Sequence, residues 1–501
     1  MFKKVLIANR GEIAVRIERG LRELGVASAA VYSDADRDSL HVRLADEAYR
    51  LGPAPSSESY LRIDKILEAA ERSGAEAVHP GYGFLAENAD FARACADAGL
   101  VFIGPPPEVV HLMGNKVEAR AVAERAGVPT VPGTGALTSV DDALKKAPGV
   151  GFPLLVKATA GGGGKGMRLV STLEELSSAF EQASSEAQAS FSNPSVFLEK
   201  FIERPRHIEF QIVADQNGNT VHLLERECSV QRRHQKLIEE APSPFVDDAL
   251  RRRMGDAAVA LAREAGYVNA GTVEFLVDAK RNFFFLEMNA RLQVEHPVTE
   301  LVTGWDLVRL QLQIASGEGL PFEQSDVVAR GWAMEFRVTA EDPFQNFTPS
   351  AGRIRFLRAA EGPGIRNDSG VYAGFEVTPH YDPLIAKLVI AGDDRMHCLS
   401  RARRAIREYQ VDGIATTLPF FERMLADERF IAGDVDVSFV DRHWMSEIAV
   451  RPSERRSELL TVALAAAAAE DGSRRTTRRG PKAKASAWKQ MGLREQVGNR
   501  L

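Results

Sequence analysis

Residues 272–297 read TVEFLVDAKRNFFFLEMNARLQVEHP. Side chains along a strand alternate between two faces. A turn centred between Lys280 and Arg281 folds this stretch into an antiparallel hairpin that pairs position 274 with position 287. Glu274 then faces Glu287 across the ladder, and Asn289 follows on the same face. Val273, Phe275, Leu286 and Met288 are expected to point the other way, into a core. Two opposed carboxylates repel unless a cation sits between them. Two carboxylates and an amide form an all-oxygen set that suits Mg²⁺ or Mn²⁺, with phosphate oxygens completing the shell. A solvated charged face would need no such cation, but the opposite face is strongly apolar and aromatic. The alternation continues through Arg291, Gln293 and Glu295, which sets a cation and a carboxylate just past the metal.

Upstream, residues 154–157 and 167–170 read as two strands around Ala160-Gly161-Gly162-Gly163-Gly164-Lys165-Gly166. Four consecutive glycines let backbone N–H groups approach an anion with no Cβ in the way. The pattern is not a P-loop: Thr159 stands at the first glycine position and Gly166 replaces the Ser/Thr. Strands on both sides exclude a dinucleotide fingerprint. A glycine flap that closes over nucleotide phosphates fits better, with Lys157 and Lys116 as candidate phosphate partners. Ser171-Thr172-Leu173-Glu174 has the form of a capping box. Residues 196–202 read as a further strand.

Residues 206–230 read as a second hairpin turning at Asn217-Gly218. His207, Glu209 and Gln211 share one face, and Ile208, Phe210 and Ile212 the other. The basic segment 231–236 (QRRHQK) follows it. Its cations read as holders of a small anion near the metal. Nucleic-acid contact is disfavoured by the acidic body and by the lack of interleaved aromatic residues.

Before residue 116 short apolar runs alternate with helical spacing. Residues 5–8, 29–32, 77–79 and 100–103 read as strands; Ile13, Ile17, Leu21 and Leu24 recur as a helix face stopped by Gly25. This predicts a parallel sheet whose ligands bind beyond the strand ends, so the loops after Ala8, His79 and Ile103 are candidate site walls. Residues 331–445 mix strands (332–338, 384–390) with a helix at 396–409.

The composition of the 501 residues, 45% hydrophobic and 26% charged, is that of a globular chain. No run of about 18 apolar residues predicts a membrane span. The only early apolar run, 5–8, is too short for a signal peptide. Cys95, Cys228 and Cys398 lie far apart, which supports neither a disulfide framework nor zinc. A cytoplasmic setting is expected. The net charge of -6 is uneven: residues 471–501 carry +7, leaving -13 for the rest.

The segments HPGYGFLAEN (79–88), LMGNK (112–116), the glycine loop (161–166), CSVQRRHQK (228–236), EMNARLQVEHPVTE (287–300) and EFRVTAEDP (335–343) occur in this order. Together they resemble biotin carboxylase, the ATP-grasp component of acetyl-CoA, propionyl-CoA and pyruvate carboxylases. The resemblance covers roughly residues 1–445. It implies an α/β protein with α+β lobes and an ATP-grasp fold. A parallel-sheet pre-ATP-grasp domain would span 1–115. The ATP-grasp domain would span 116–330, with a glycine-rich lid lobe at about 131–203. A biotin carboxylase C-terminal domain would span 331–446, and a basic, partly disordered tail 447–501.

Members of that family use ATP, two divalent ions and bicarbonate to carboxylate N1′ of biotin held on a carrier protein. Carried over by motif, Glu274, Glu287 and Asn289 would hold the Mg²⁺ or Mn²⁺. Lys116, Lys157, Gly163, Gly164, Met167, Glu199, Lys200, His207, Gln231, His234 and Leu276, with Glu274 and Glu287, would bind ATP. Lys236, Arg291, Gln293 and Val294 would hold bicarbonate. Glu295 would be the base that deprotonates it. Arg337 would stabilise the biotin enolate oxygen, and Tyr82 would shape the biotin pocket. The implied catalytic set is Glu295, Arg291, Lys236 and Arg337. Phosphoryl transfer rests mostly on positioning and charge neutralisation. A guanidinium fork matches planar bicarbonate, and labile carboxyphosphate needs a lid that excludes water.

The resemblance also implies a homodimer through the first helix and a segment near 363–366. Arg16, Arg19, Glu23 and Arg366 match that pattern, while Pro363 stands where an aromatic residue is usual. Biotinylated carriers present a Met-Lys dipeptide, which does not occur here. The expected partners are therefore a biotin carboxyl carrier protein and carboxyltransferase subunits on other chains. This would be the first half-reaction of a multisubunit acyl-CoA or pyruvate carboxylase, such as the acetyl-CoA carboxylase of fatty-acid synthesis. No nucleic acid and no membrane is expected as partner. Another ATP-grasp ligase, such as a carbamoyl-phosphate synthase half or a purine-pathway carboxylase, would share the metal hairpin and flap. The run 291–297 and Arg337 favour biotin. A silent scaffold subunit is disfavoured by the intact site positions. In the tail, 465–469 reads as a helix end and 488–492 as a docking patch for the carrier or transferase.

Overall fold

Val5, Leu6 and Ile7 have no exposed surface, because β1 (Lys4–Ile7) lies in the middle of a parallel sheet covered on both faces. The sheet comprises β1, β2 (Ala27–Ser33), β3 (Glu47–Gly52), β4 (Ala77–His79) and β5 (Val101–Phe102), in the order β3-β2-β1-β4-β5. Residues 1–159, 167–191, 193–444 and 446 are described by the structure, a computed structural model. The strand order reverses between β1 and β4, and such a reversal opens a crevice beyond the strand ends. Asn9 and Arg10 after β1, and Tyr82, Gly83 and Phe84 after β4, line the cleft described below. The loop after Ile103 does not, contrary to expectation. It leaves the edge strand, one position away from the reversal. The helix α1 (Gly11–Glu23) buries Ile13, Ile17 and Leu21, and Gly25 follows it with a φ of 69°.

A small lobe has its own sheet, β6 (Leu154–Ala158), β7 (Met167–Val170) and β8 (Val196–Lys200), ordered β7-β6-β8. Helices Val140–Val150 and Leu173–Phe191 cover it, and Leu154, Val156, Val170, Leu176 and Phe180 form its core. Lys157 pairs with Met167, so residues 160–166 join two antiparallel neighbours as the flap reading requires. The flap itself, with Gly163 and Gly164, lies outside the described residues. The expected capping box shifts by one: the Ser171 N–H donates to Glu175 Oε2 (2.8 Å), not to Glu174.

The largest sheet has eight strands. In chain order its first six are β9 (Arg206–Ala214), β10 (Thr220–Arg232), β11 (Gln235–Ala241), β12 (Asn269–Val277), β13 (Phe283–Asn289) and β14 (Trp332–Thr339). In space the order is β13-β12-β9-β10-β11-β14, then Leu384–Gly392 and Ile365–Ser369, so the sheet runs unbroken past residue 330. One face carries Ile208, Phe210, Ile212, Val273, Phe275 and Met288 onto Leu250, Met254, Ala258 and Leu261 of helix Asp248–Glu264. Each such large side chain contributes about 1.5–3 kcal/mol on burial. The polar face, with His207, Glu209, Gln211 and Glu274, turns the other way.

Glu274 pairs with Glu287, as the sequence predicts, and the ladder slips at the next residue. Phe275 meets Phe285 rather than Leu286. Phe285 therefore joins the core, and Leu286, expected there, lines the cleft instead. The three cysteines are free and buried. Among the described residues no helix is long and apolar enough to cross a membrane. The tail segments 465–469 and 488–492 lie outside the described residues.

Candidate active site

The polar face of the large sheet, the small lobe and the loops after β1 and β4 enclose a cleft of about 1050 Å³. Lys116, Lys157, Met167, Glu199, Lys200, His207, Gln231, His234 and Leu276 line it. So do Glu274, Glu287, Asn289, Arg291, Gln293, Val294, Lys236, Arg337 and Tyr82. Every sequence-predicted site residue within the described part of the chain is thus a wall of one cleft, except Glu295. That residue has no exposed surface and sits one layer behind.

The bottom of the cleft is a buried ion-pair cluster built by strand alternation. Lys236 Nζ donates to Glu209 Oε2 (2.5 Å), Glu295 Oε1 (2.6 Å) and Glu274 Oε1 (3.0 Å). Arg337 donates from Nη2 to Glu295 Oε2 (2.8 Å) and from Nε to Glu239 Oε1 (2.6 Å). Arg226, itself fully buried, donates to Glu209 Oε1 (2.6 Å), Gln211, Thr299 and Thr272. His207 Nε2 lies 3.0 Å from Glu274 Oε2. The donor atoms of His207, Glu209 and Glu274 converge as metal ligands would, but Lys236 supplies the cation there.

Burial alone would make these acids neutral. Against that burial, Lys236, Arg337 and Arg226 hold Glu295 well below the usual carboxylate range. Lys236 and His207 do the same for Glu274. Burial opposes the charge of Lys236, yet Glu209, Glu274 and Glu295 raise its pKa well above normal. Glu295, Glu274 and Lys236 are therefore fully formed, enclosed charges, whereas burial pushes the Glu209 carboxyl up against its two cations and the Glu239 carboxyl up to about 7 against Arg337.

Glu287 differs. Burial, then the facing Glu274, pushes its carboxyl up. Among the described residues it accepts no hydrogen bond, and the Asn289 Nδ2 beside it has no partner. Two opposed carboxylates, one of them uncompensated, with an amide alongside, fit a hard divalent cation. Arg291 is held by Glu87 Oε2 (2.8 Å), Gln293 Oε1 (2.8 Å) and Asn289 Oδ1 (3.0 Å), so its fork is fixed at the cleft wall. Lys387 fixes the Val294 carbonyl (3.0 Å) and reaches Glu12 (3.2 Å), which accepts the Tyr82 hydroxyl. Lys157 pairs with Glu199 at 2.5 Å.

Three family models match consecutive parts of the chain: "Biotin carboxylase, N-terminal domain" at 1–110, "Carbamoyl-phosphate synthase L chain, ATP binding domain" at 115–323 and "Biotin carboxylase C-terminal domain" at 335–442. The biotin carboxylase of Halalkalibacterium halodurans is 52% identical over 444 residues, covering 88% of this chain and 98% of that one. The chain belongs to the biotin carboxylase family. The biotin carboxylase of a Nostoc species is 52% identical over 440 residues, covering 88% of this chain and 98% of that one. Campylobacter jejuni biotin carboxylase superposes with a TM-score of 0.86 at 44% identity, covering 88% of this chain and 99% of the other. The biotin carboxylase domain dimer of Hydrogenobacter thermophilus 2-oxoglutarate carboxylase, solved with MgADP, ADP and bicarbonate, superposes with a TM-score of 0.85 at 46% identity and coverages of 88% and 98%. The fold is that of an ATP-grasp biotin carboxylase.

Sequence reasoning put Glu209 on the polar face without giving it a role, and passed over several other residues that build this biotin carboxylase cleft: Arg226, Glu239, Glu12, Glu87 and Lys387. Glu209 carried a signal, since it alternates with His207 and Gln211 on the polar face. Glu87 ends the HPGYGFLAEN segment but for one residue. Lys387 and Glu12 carried none, because the fold alone brings them together from opposite ends of the chain. Arg16 and Arg366, expected at a dimer contact, are turned into internal ion pairs with Glu300 (2.9 and 2.7 Å).

Proposed function

We propose that this ATP-dependent biotin carboxylase uses the cleft to activate bicarbonate with ATP and to pass the carboxyl group to N1′ of biotin. The observation that carries the residue roles is the enclosed Glu295, ionised between Lys236 and Arg337 behind the cleft wall. Lys236 and Arg337 already hold one carboxylate, that of Glu295. An entering anion can replace Glu295 on those two side chains and release its carboxylate as a base. Glu295 then takes the bicarbonate proton. The bicarbonate oxygen attacks the γ-phosphorus, and the bond to ADP breaks. Arg291, fixed by Glu87, would grip the bicarbonate, with Gln293 and the Val294 backbone held by Lys387.

Lys116, Lys157, Lys200, His207, Gln231 and His234 would bind ATP along the lobe side, Met167 and Leu276 giving it an apolar rest. Glu274, Glu287 and Asn289 would hold Mg²⁺ or Mn²⁺, whose charge neutralises the phosphates. The neighbour solved with MgADP and bicarbonate supports this ligand set. The carboxyphosphate so formed would break its carboxyl C–O bond to give CO₂ and inorganic phosphate. That phosphate would take the N1′ proton of biotin, and N1′ would form the C–N bond to CO₂. Arg337 would stabilise the enolate oxygen, and Tyr82 would border the ring. The division into 1–115, 116–330, 331–446 and 447–501 is part of the same proposal; the small lobe's own core supports the lid within it, while one face of the parallel sheet shares its core with residues 213–322. A homodimer, a cytoplasmic setting, and a carrier and transferase on other chains belong to the proposal as well. The tail would recruit those subunits. The test of the function is ATP cleavage that requires bicarbonate and is stimulated by free biotin.

A further inference from the structure

The antiparallel register of β11 and β14 puts Glu239 directly opposite Glu335. Both have zero exposure. Opposed ladder positions bring Cβ atoms within about 4.5–5.5 Å, where like charges repel. Hydrogen-bond accounting sharpens the problem. Glu239 Oε1 accepts from Arg337 Nε, but among the described residues Glu239 Oε2 and both oxygens of Glu335 have no partner. Orphaned buried polar atoms in a native protein demand an explanation.

The charged groups facing the pair cannot supply one. Lys387 on the neighbouring strand gives its ammonium to the Val294 carbonyl and Glu12. Lys236 gives its own to Glu209, Glu274 and Glu295. Arg337 is divided between Glu239 and Glu295. Glu295 adds a further negative charge nearby. A proton is the cation that remains. Burial drives both carboxyls in that direction, Glu239 up to about 7 and Glu335 well above the usual carboxylate range. Arg337 works against it on Glu239, and Lys387 and Arg337 work against it on Glu335.

We propose that Glu335 is a neutral carboxylic acid in the working enzyme, donates its hydrogen bond to Oε2 of an ionised Glu239, and thereby positions Arg337. One negative charge on the pair anchors Nε of Arg337 and leaves Nη2 for Glu295 and the cleft. Two charges would draw the guanidinium back into the sheet. None would free it to rotate. Glu335 touches no substrate and acts through Glu239 and Arg337, so it is a positioning residue. This rests on the reading of Arg337 as the group that meets biotin, and the spectroscopic arm below does not.

The full-length enzyme is compared as wild type, Glu335→Gln and Glu335→Ala. The infrared difference spectrum of the wild type minus Glu335→Gln at pH 8 should show the carbonyl stretch of a buried neutral carboxylic acid, shifted in D₂O. Glutamine keeps a donor at this site and alanine does not. Glu335→Ala should therefore lower kcat with free biotin roughly tenfold with the KM for ATP unchanged, as expected for one orphaned charged acceptor, and Glu335→Gln should restore most of it. A wild-type spectrum without the band overturns the neutral acid whatever the variants do. Buried Glu18 contributes a band of its own in both proteins, so the readout is the difference spectrum, and a wild-type-minus-Glu335→Gln difference without the band overturns the assignment. If the band behaves as expected but Glu335→Ala turns over normally, the positioning role fails while the proton pair stands. If Glu335→Gln is as impaired as Glu335→Ala, the charge rather than the donor is needed, and the proposal is wrong.

Discussion

Glu295 gives one carboxylate oxygen to Lys236 (2.6 Å) and the other to Arg337 (2.8 Å), and none of its surface meets solvent. Enclosure alone would neutralise the acid, yet the two cations keep it ionised. A carboxylate stored in this way is available the moment another anion takes its place.

Replacing Glu295 by glutamine keeps the shape and removes the proposed base. ATP should bind with affinity within about threefold of wild type, while turnover falls about 10²–10⁴-fold. Calorimetry and steady-state rates check the two halves. Near-normal turnover removes Glu295 from the reaction.

Arg226 is the anchor beneath the cluster, with every guanidinium nitrogen donating to a buried acceptor. Arg226→Ala strands Glu209 without one of its two cations. The loss should be about 3–5 kcal/mol in denaturant unfolding. A change below about 1 kcal/mol, typical of exposed pairs, contradicts the enclosed cluster.

Glu18 on α1 is 2% exposed, and neither of its oxygens has a partner among the described residues. Burial pushes its carboxyl up to about 8. A carboxyl raised on folding binds its proton more tightly in the native state. Its stabilisation is present below the unfolded value near 4.5 and is lost as pH rises toward 8. Glu18→Gln should therefore gain on the wild type as pH goes from 5 to 8, by up to about 1.4 kcal/mol per pH unit. Thermal melts across that range measure the difference. A constant offset contradicts the buried acid.

Glu287 is the uncompensated member of the opposed pair. Glu287→Gln should weaken Mn²⁺ binding to the ADP-loaded protein roughly tenfold or more, read by electron paramagnetic resonance, since a hard cation prefers a charged oxygen ligand. Unchanged Mn²⁺ affinity moves the metal away from this hairpin.

Much of this was legible because alternation is a local rule. Glu274 against Glu287, the His207 face and the strand–glycine–strand unit all follow from counting by two. The counting fails where a bulge intervenes: it assigns Leu286 to the core, and the one-residue slip turns that side chain to the cleft. Neither can counting reveal that the strand stops at Asn289, before Arg291, Gln293 and Glu295, or that Glu295 opens helix His296–Thr303 beneath two cations. Contacts between remote segments, such as Lys387 with Glu12 or Glu239 with Arg337, arise only when the sheet closes. The loop after Ile103 looks equivalent to its neighbours until the strand order places it at an edge.

The most direct test is ATP hydrolysis by the purified chain with bicarbonate present or removed, with and without free biotin, scored together with carboxylation of a biotinylated carrier domain. The account predicts ATP cleavage that depends on bicarbonate, rises with biotin and yields carboxylated carrier. ATP turnover indifferent to biotin, with no carboxylated carrier formed, would contradict it.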